Sequence, residues 1–448
     1  MRILIIGAGE VGSHLAKMLR RYRHEVVVVE PDAERLEHLA SVADILPVRG
    51  LGTSPETLQE AGIREADMII AVTTVDEVNL LACTLANQVN VPVKIARVRN
   101  QEYATLTSLE SKFKLGIDLM VHPELEAARE IANLVRYNRA LDYHVYGGGK
   151  IQLIGVKVAA NASLVDKQLS LLYNGSNSYP FRVVAIRRDL KTRLVTTDDV
   201  IQANDCVYAV IQAGNLERFF SLCGYETDRV RDVMIYGASD VGNLVAKELE
   251  NDRRFRVKLI EPSAERAHIV AREHPRTLVM HGEGTDIDLL AAEGLVQMDA
   301  FVATTENDEK NIVSCLLARH LGVERVITLI GRSEYLPIFR TIGLDIPINL
   351  RLITANAILK KIQQGSVISV STLRSIDAES FEFEILPGSR LIGKRLEDVQ
   401  LPNGSVICAF HRAGRVMFPA PDFVFHEGDF AVVLAFSSAT TAILKLFR

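Results

Sequence analysis

The chain has 448 residues, with 51 Lys and Arg against 56 Asp and Glu for a net charge of −5, and it is 48% hydrophobic and 24% charged. That length accommodates about two to four domains with separate cores, and mild acidity without a long basic run argues against a general nucleic-acid binder. No apolar stretch reaches the ~18 residues that a bilayer crossing needs, and the apolar N-terminus meets Gly7 too soon to be expected as a signal peptide. Cys83, Cys206, Cys223, Cys315 and Cys408 are dispersed, with no C-x-x-C pair. They are expected as buried thiols in a reducing compartment, not as disulfides or metal ligands.

The opening hundred residues alternate between two periods. An apolar strand over residues 2–6 leads into a helix in which Leu15, Met18 and Leu19 share one face. A strand over 26–30, a helix over 33–40 and a short strand over 45–48 follow. The next helix spans 55–61, with Thr53 and Ser54 as cap candidates and Gly62 as its stop. A strand over 68–72, a helix over 77–88 and a strand over 93–98 complete the series. Strands alternating with helices imply right-handed crossovers and a parallel sheet. Beyond about residue 140 the pattern changes: residues 151–158 alternate with a period near two, 183–187 and 206–210 read as strands, and 164–172 reads as a short helix. This second pattern predicts a small α+β module.

The whole series then repeats roughly 230 residues later. The turn Gly7-Ala8-Gly9-Glu10-Val11-Gly12 returns as Gly237-Ala238-Ser239-Asp240-Val241-Gly242, and Glu30-Pro31 returns as Glu261-Pro262. Gly50-Leu51-Gly52-Thr53 returns as Gly282-Glu283-Gly284-Thr285, and Asp76-Glu77-Val78-Asn79 as Asp308-Glu309-Lys310-Asn311. The small module returns over 381–385, 396–399, 406–411 and 429–435. The predicted architecture is therefore two tandem Rossmann-like α/β domains, each followed by a small α+β subdomain. The predicted bounds are 1–137, 138–224, 230–365 and 366–448, with joints at the glycine-rich stretches 146–149 and 364–366 and at 224–232.

The G-x-G-x-x-G string gains meaning from lying between a strand and a helix. Gly7 makes the tight turn, Gly9 lets a diphosphate approach the main chain, and Gly12 lets strand and helix pack closely. The helix N-terminus then offers free N–H groups and the positive end of its dipole. Glu30 stands at the end of the second strand, about 20 residues beyond the glycines, where a carboxylate accepts from ribose hydroxyls and repels a 2′-phosphate, favouring NAD over NADP. In the second copy Ser239 puts a Cβ where the diphosphate comes closest and Asp240 adds charge, whereas Glu261 is retained; occupied and empty readings of that site remain open.

Thr73 and Thr74 end the fourth strand and are placed to reach adenine or ribose, as Thr304 and Thr305 are in the repeat. Asp76 reads as a helix N-cap in preference to a ligand contact. Arg97 and Arg99 share a face of the fifth strand, and one of them is expected to pair with a phosphate or with Glu30; Leu329 and Gly331 replace them in the repeat. His122 with Glu124, and His281 with Glu283, lack metal-ligand spacing.

These strings, from Ile3 through Gly12, Glu30, Thr53 and Thr73 to Asn79, resemble the RCK (KTN) nucleotide-binding domains that regulate potassium channels and transporters. The alternating modules resemble the RCK C-terminal subdomain, and two copies of each resemble the cytosolic subunits of bacterial Trk potassium-uptake systems. Leu51 departs from the family, whose members often carry a polar residue there. The resemblance implies no catalysis. It implies NAD or NADH, and in several members ATP or ADP, as a regulatory ligand, with Gly7, Gly9, Val11 and Gly12 on the diphosphate, Glu30 on the ribose, and Thr73, Thr74 and Arg97 lining the rest. It also implies a membrane-embedded Trk-type potassium-translocating subunit as partner, a homotetramer forming a ring of eight RCK units, and a place on the cytoplasmic face of the inner membrane. A nicotinamide-dependent dehydrogenase would use the same turn and acid, but it needs a substrate domain, and the duplicated plan consumes the length. A stand-alone cytosolic nucleotide sensor is the third reading.

Overall fold

The computed structural model describes residues 1–100, 103, 115–173, 179–189, 191–225, 230–339, 341–344, 346–362, 366–373 and 376–447. They fall into two compact units, one comprising Met1–Glu126 with Leu350–Ile362 and the other Ala127–Asn349 with Gln363–Arg448.

In the first unit, β1 (Arg2–Ile6), α1 (Glu10–Arg21), β2 (Glu25–Glu30), α2 (Ala33–Val42), β3 (Leu46–Arg49), α3 (Pro55–Glu60), β4 (Met68–Ala71), α4 (Asp76–Gln88), β5 (Val93–Arg97) and β6 (Leu119–Val121) succeed one another. The sheet runs β3-β2-β1-β4-β5-β6, with every pair parallel. Strands covered on both faces can be apolar throughout, and the sequence shows it. Ile3, Ile5, Val26, Val28, Met68 and Ile70 meet Leu15 and Leu19 of α1 and Leu36 and Leu39 of α2. The intervening Leu4, Ile6, Val27, Val29, Ile69 and Ala71 meet Leu58, Ala82, Cys83 and Ala86 on the opposite face. The strand order reverses between β1 and β4, which opens a crevice at their carboxyl ends.

Local chemistry fixes the helix starts. The Asp32 side chain accepts from the amides of Glu34 and Arg35 and caps α2. Ser54, one of the two predicted cap candidates, accepts from the Thr57 amide, and Pro55 follows it at the first helical position.

The second unit begins inside α5 (Pro123–Arg136). Next come β7 (Ala140–Tyr146), β8 (Ile151–Lys157), α6 (Leu169–Tyr173), β9 (Phe181–Arg188), β10 (Lys191–Leu194), β11 (Cys206–Gln212) and α7 (Leu216–Leu222). These strands make an antiparallel sheet in the order β10-β9-β11-β8-β7. The predicted joint at 146–149 is a hairpin turn inside this sheet. Gly147, Gly148 and Gly149 have φ of 60°, 61° and 98°, a succession that only glycine adopts without strain, and it turns β7 back onto β8. The helix predicted over 164–172 is shorter, because residues before Leu169 form turns.

The second parallel sheet uses β12 (Asp232–Tyr236), α8 (Asp240–Glu250), β13 (Arg256–Glu261), α9 (Ala264–Glu273), β14 (Thr277–His281), α10 (Ile287–Ala292), β15 (Ala300–Ala303), α11 (Asp308–His320), β16 (Arg325–Ile330), the one-turn α12 (Leu336–Phe339) and β17 (Pro347–Asn349). Its order, β14-β13-β12-β15-β16-β17, repeats that of the first sheet. After α13 (Leu350–Ile362), the strands β18 (Val367–Leu373), β19 (Ala378–Glu384), β20 (Ser405–Arg412), β21 (Arg415–Met417) and β22 (Phe430–Phe436) form the second antiparallel sheet, followed by α14 (Thr440–Leu446). The two small sheets share one core, in which Tyr146, Leu153, Tyr208 and Val210 pack with Leu373, Cys408, Val432 and Leu434. Residues 226–229 and 364–365, within the other two predicted joints, lie outside the described residues.

The helix after each parallel sheet does not cover the sheet it follows. In the first unit α13 joins the core, with Ala355 and Ile358 buried and the helix lying against α1 and β6. In the second unit, α5 lies at the second sheet: Arg325 donates through Nη2 to the Leu134 carbonyl at 2.7 Å, and Arg136 to the Glu248 carbonyl at 3.2 Å. All five cysteines are buried. Burial pushes the thiols of Cys83, Cys223, Cys315 and Cys408 up to about 12, so they behave as small apolar residues.

Candidate functional site

The first crevice is built on the turn between β1 and α1. Gly7 has φ of 105°, and its amide donates to Val29 O at 2.9 Å, which ties the turn to β2. A Cβ at Gly12 would collide with the carbonyl oxygen of Gly7, so close helix–strand packing demands glycine there. Gly9 differs, because a Cβ added to it meets nothing within 4 Å. Its face is open, and Gly9 is the N-cap of α1 with no side chain capping the helix. The first amides of a helix lack intrahelical acceptors, so those of Glu10, Val11 and Gly12 are available to an anion. This arrangement fits a diphosphate.

Glu30 is buried, 7% exposed. Its Oε2 accepts from the Ala8 amide at 2.6 Å and its Oε1 from the Asp32 amide at 3.2 Å. The carboxylate is thereby fixed beside the glycine turn. A carboxylate has about four acceptor positions, which leaves capacity for ribose hydroxyls.

The opposite wall is formed by the ends of β4 and β5. Asn79 is fully buried. Its Oδ1 accepts from the Thr73 amide at 2.9 Å and the Thr73 hydroxyl at 2.8 Å, while its Nδ2 donates to Arg97 O at 2.9 Å. Thr73 is thus presented at the crevice, and Thr74 follows it in the exposed turn. Thr53 is half-buried on the loop after β3, and Gly52 beside it packs against Ile6.

Two expectations change. Asp76 does not cap α4, because Val75 holds the N-cap position. The Asp76 carboxylate instead accepts from the amides of Arg99, at 2.9 and 3.0 Å, and Asn100, at 2.8 Å, and so clamps the loop after β5. Arg97 pairs with Glu124 at 3.0 Å and not with Glu30; Arg99 approaches the same carboxylate at 3.6 Å. The strand period put both arginines on one face, but their partner stands at the start of α5, just after β6. His122 sits in this cluster, and burial pushes its imidazole below the ordinary histidine range against the opposing charges of Glu124, Asp76 and Glu126.

The second crevice keeps the frame and alters the lining. Gly237 and Gly242 reproduce the tight turn, Ala238 and Val241 are buried, and Glu261 accepts from the amides of Ala238 at 2.7 Å and Ser263 at 2.9 Å. Asn311 and Asp308 repeat the Asn79 tether and the Asp76 clamp. At the helix start, however, the Ser239 hydroxyl accepts from the Gly242 amide at 3.2 Å and Asp240 is the first residue of α8. The N-terminus that is open in the first crevice is capped here from within. Tyr236 donates its hydroxyl to Glu283 Oε2 at 2.9 Å, and Lys310 reaches both Glu283 oxygens at 3.0 Å; Lys310 lowers the Glu283 carboxyl below its usual range. The matching positions in the first crevice are Leu51 and Val78.

Sequence reading overlooked Glu124 as the partner of Arg97 and the tether role of Asn79. The recurrence of Asn79 as Asn311 was the available signal for the second. Among the described residues no cluster of metal-ligating side chains occurs, and no helix is long and apolar enough to cross a membrane.

The TrkA-N domain family matches residues 3–123 and 233–350, and the TrkA-C domain family matches residues 153–224 and 381–448. The Trk system potassium uptake protein TrkA of Azorhizobium caulinodans is 33% identical over 452 residues, covering 100% of this chain and 99% of that protein. Its counterpart from Halomonas elongata is 35% identical over 439 residues, covering 97% and 95%. Among solved structures, the RCK domain of GsuK superposes with a TM-score of 0.62 at 19% identity, covering 100% of this chain and 94% of that one. The GsuK channel bound to NAD gives a TM-score of 0.63 at 19% identity, covering 100% and 78%. At that identity the likeness establishes the fold, two Rossmann-like sheets each followed by a small RCK-type module. With both halves of the duplication matched and relatives similar along their whole length, the chain belongs to the TrkA family of Trk-system potassium uptake proteins.

Proposed function

We propose that this chain is the regulatory nucleotide-binding subunit of a potassium-uptake system, placed on the cytosolic face of a membrane-embedded Trk-type potassium-translocating subunit. The observation that carries the reading is the uncapped N-terminus of α1 beside an open Gly9 and an anchored Glu30. Those features fit NAD or NADH, or the diphosphate of ADP or ATP, bound as an effector. Gly7, Ala8, Gly9, Glu10, Val11 and Gly12 form the diphosphate cradle, Glu30 accepts from the ribose, and Thr53, Thr73 and Thr74 line the crevice. Arg97, tied to Glu124, supports its wall. The role of its relatives in potassium uptake supplies the physiological direction. No step of covalent chemistry is part of the reading.

An effector does work only through a difference in affinity between two conformations. A tenfold preference is worth about 1.4 kcal/mol per site. Four such sites, one per chain in a tetrameric ring of eight RCK units, supply about 5.6 kcal/mol, which matches the shift from 1:99 to 99:1 in a two-state gate. The second crevice, capped by Ser239, serves as frame in this scheme; its counterpart residues Gly237, Ala238, Asp240, Val241 and Glu261 hold the turn together.

Calorimetric titration of NAD, NADH, ADP and ATP into the wild type and Glu30→Ala tests the reading. Tight binding to the wild type, weakened by about tenfold or more in the variant, is expected. Equal NADH affinity in both proteins would remove Glu30 from the ribose.

A further inference from the structure

We propose that Arg351 binds the nucleotide diphosphate in the first crevice, so that the second half of the duplication supplies a ligand-binding cation to the first. This rests on the reading that the first glycine turn holds a nucleotide, and it adds a residue that lies outside both the glycine fingerprint and the sequence of the first half.

Arg351 is the second residue of α13. Its side chain is 11% exposed, and its Nε donates to Glu10 Oε2 at 2.7 Å while Nη2 pairs with Glu10 Oε1. Glu10 is the first residue of α1, directly after Gly9. The guanidinium is therefore tied to the side chain of the first residue of the helix whose N-terminus is uncapped. The side-on edge of the guanidinium engages Glu10; the end-on edge, which includes Nη1, is not part of that pair. A guanidinium fork matches two phosphate oxygens as it matches a carboxylate. Glu10 alone would repel a diphosphate, and Arg351 offsets that charge.

Two further observations separate Arg351 from an incidental surface pair. A cation in the first turn opposes the helix dipole, and α13 has no acidic residue there, whereas the matching helix α5 opens with Glu124 and Glu126. The exchange is also concerted. The first half pairs Arg97 with Glu124; at the equivalent places the second half carries Leu329 and Arg351, so its helix delivers an arginine whose partner is in the first half. Ala355 and Ile358, buried in the first core, fix the helix that carries it. A ligand-binding group on a packed helix is held more closely than one on a loop.

The test titrates adenosine, ADP and NADH into full-length wild type, Arg351→Gln, Glu10→Gln and Glu30→Ala. Arg351→Gln is expected to weaken ADP and NADH by about tenfold or more and to leave adenosine unchanged. Glu10→Gln, a change at an exposed side chain, is expected to tighten ADP. Glu30→Ala is expected to weaken all three. Unchanged ADP affinity in Arg351→Gln, or an equal loss for adenosine and ADP, would overturn the proposal while the Glu30 result upholds the crevice. A wild type that binds none of the three would overturn the nucleotide reading and this inference with it.

Discussion

The two glycine turns have the same frame and opposite terminations. Gly7 and Gly237, Gly12 and Gly242, Glu30 and Glu261, Asn79 and Asn311, and Asp76 and Asp308 make the same contacts in each half. At the helix start the difference is one position: Gly9 leaves α1 uncapped, and Ser239 caps α8 with its own hydroxyl. Residues that build the glycine turn and the residue that leaves its helix uncapped are thus separable, and the second half retains the former without the latter.

The comparison breaks first at the shared frame. Gly12→Ala and Gly242→Ala each force a Cβ into a carbonyl oxygen of the preceding turn, and each is expected to cost about 2–3 kcal/mol of stability, read as a fall in the unfolding midpoint. A tolerated alanine at either position would show that the turn is not tight. The clamps come next. Asp76→Ala and Asp308→Ala each strand two loop amides, with an expected loss of about 1–3 kcal/mol, similar in the two halves by denaturant titration. Unchanged stability in Asp76→Ala, with a loss in Asp308→Ala, would remove Asp76 from the clamp.

The position that distinguishes the halves should act on affinity more than on stability. Gly9→Ser is expected to weaken NADH by about tenfold, or about 1.4 kcal/mol, with the fold intact by circular dichroism. Ser239→Gly should change stability by only a few tenths of a kcal/mol. If Gly9→Ser leaves calorimetric affinity unaltered, the distinction between the crevices falls.

The smallest effect is in pH. His122 is held neutral by burial below its ordinary pKa, facing Glu124, Asp76 and Glu126 and near Arg97 and Arg99; its counterpart is Asn349, which donates to Gly331 O. Below about pH 6.5 the unfolded chain takes up a proton that the folded chain refuses. Stability from this group is therefore complete above that pH and declines as pH falls toward the lowered value. His122→Asn is expected to flatten the decline in urea midpoint between about pH 7 and about pH 5, and an unaltered slope would place the acid sensitivity elsewhere.

Much of this was legible in the chain. Short apolar runs and period-3.6 patterns located the strands and helices of the first parallel sheet, and the repeat carried them to the second, since β-branched runs such as Val26 to Val29 are buried on both faces. The glycines were interpretable because steric demand is local. The partners of Asp76, Arg97 and Arg351 were not, because each contact depends on where a distant segment returns; Arg351 meets Glu10 across 341 residues. The strand β7 escaped because its glycine turn reads as a linker when the pairing of β7 with β8 is unknown.

The lodging of α13 in the first core, and of α5 at the second sheet, has a genealogical consequence. Neither half is a self-sufficient inheritance: a gene cut at the middle would yield two products, each lacking a helix borne by the other, and the first would bare the apolar surface that Ala355 and Ile358 cover. A change that deletes or replaces one half therefore also removes a helix that the other half uses.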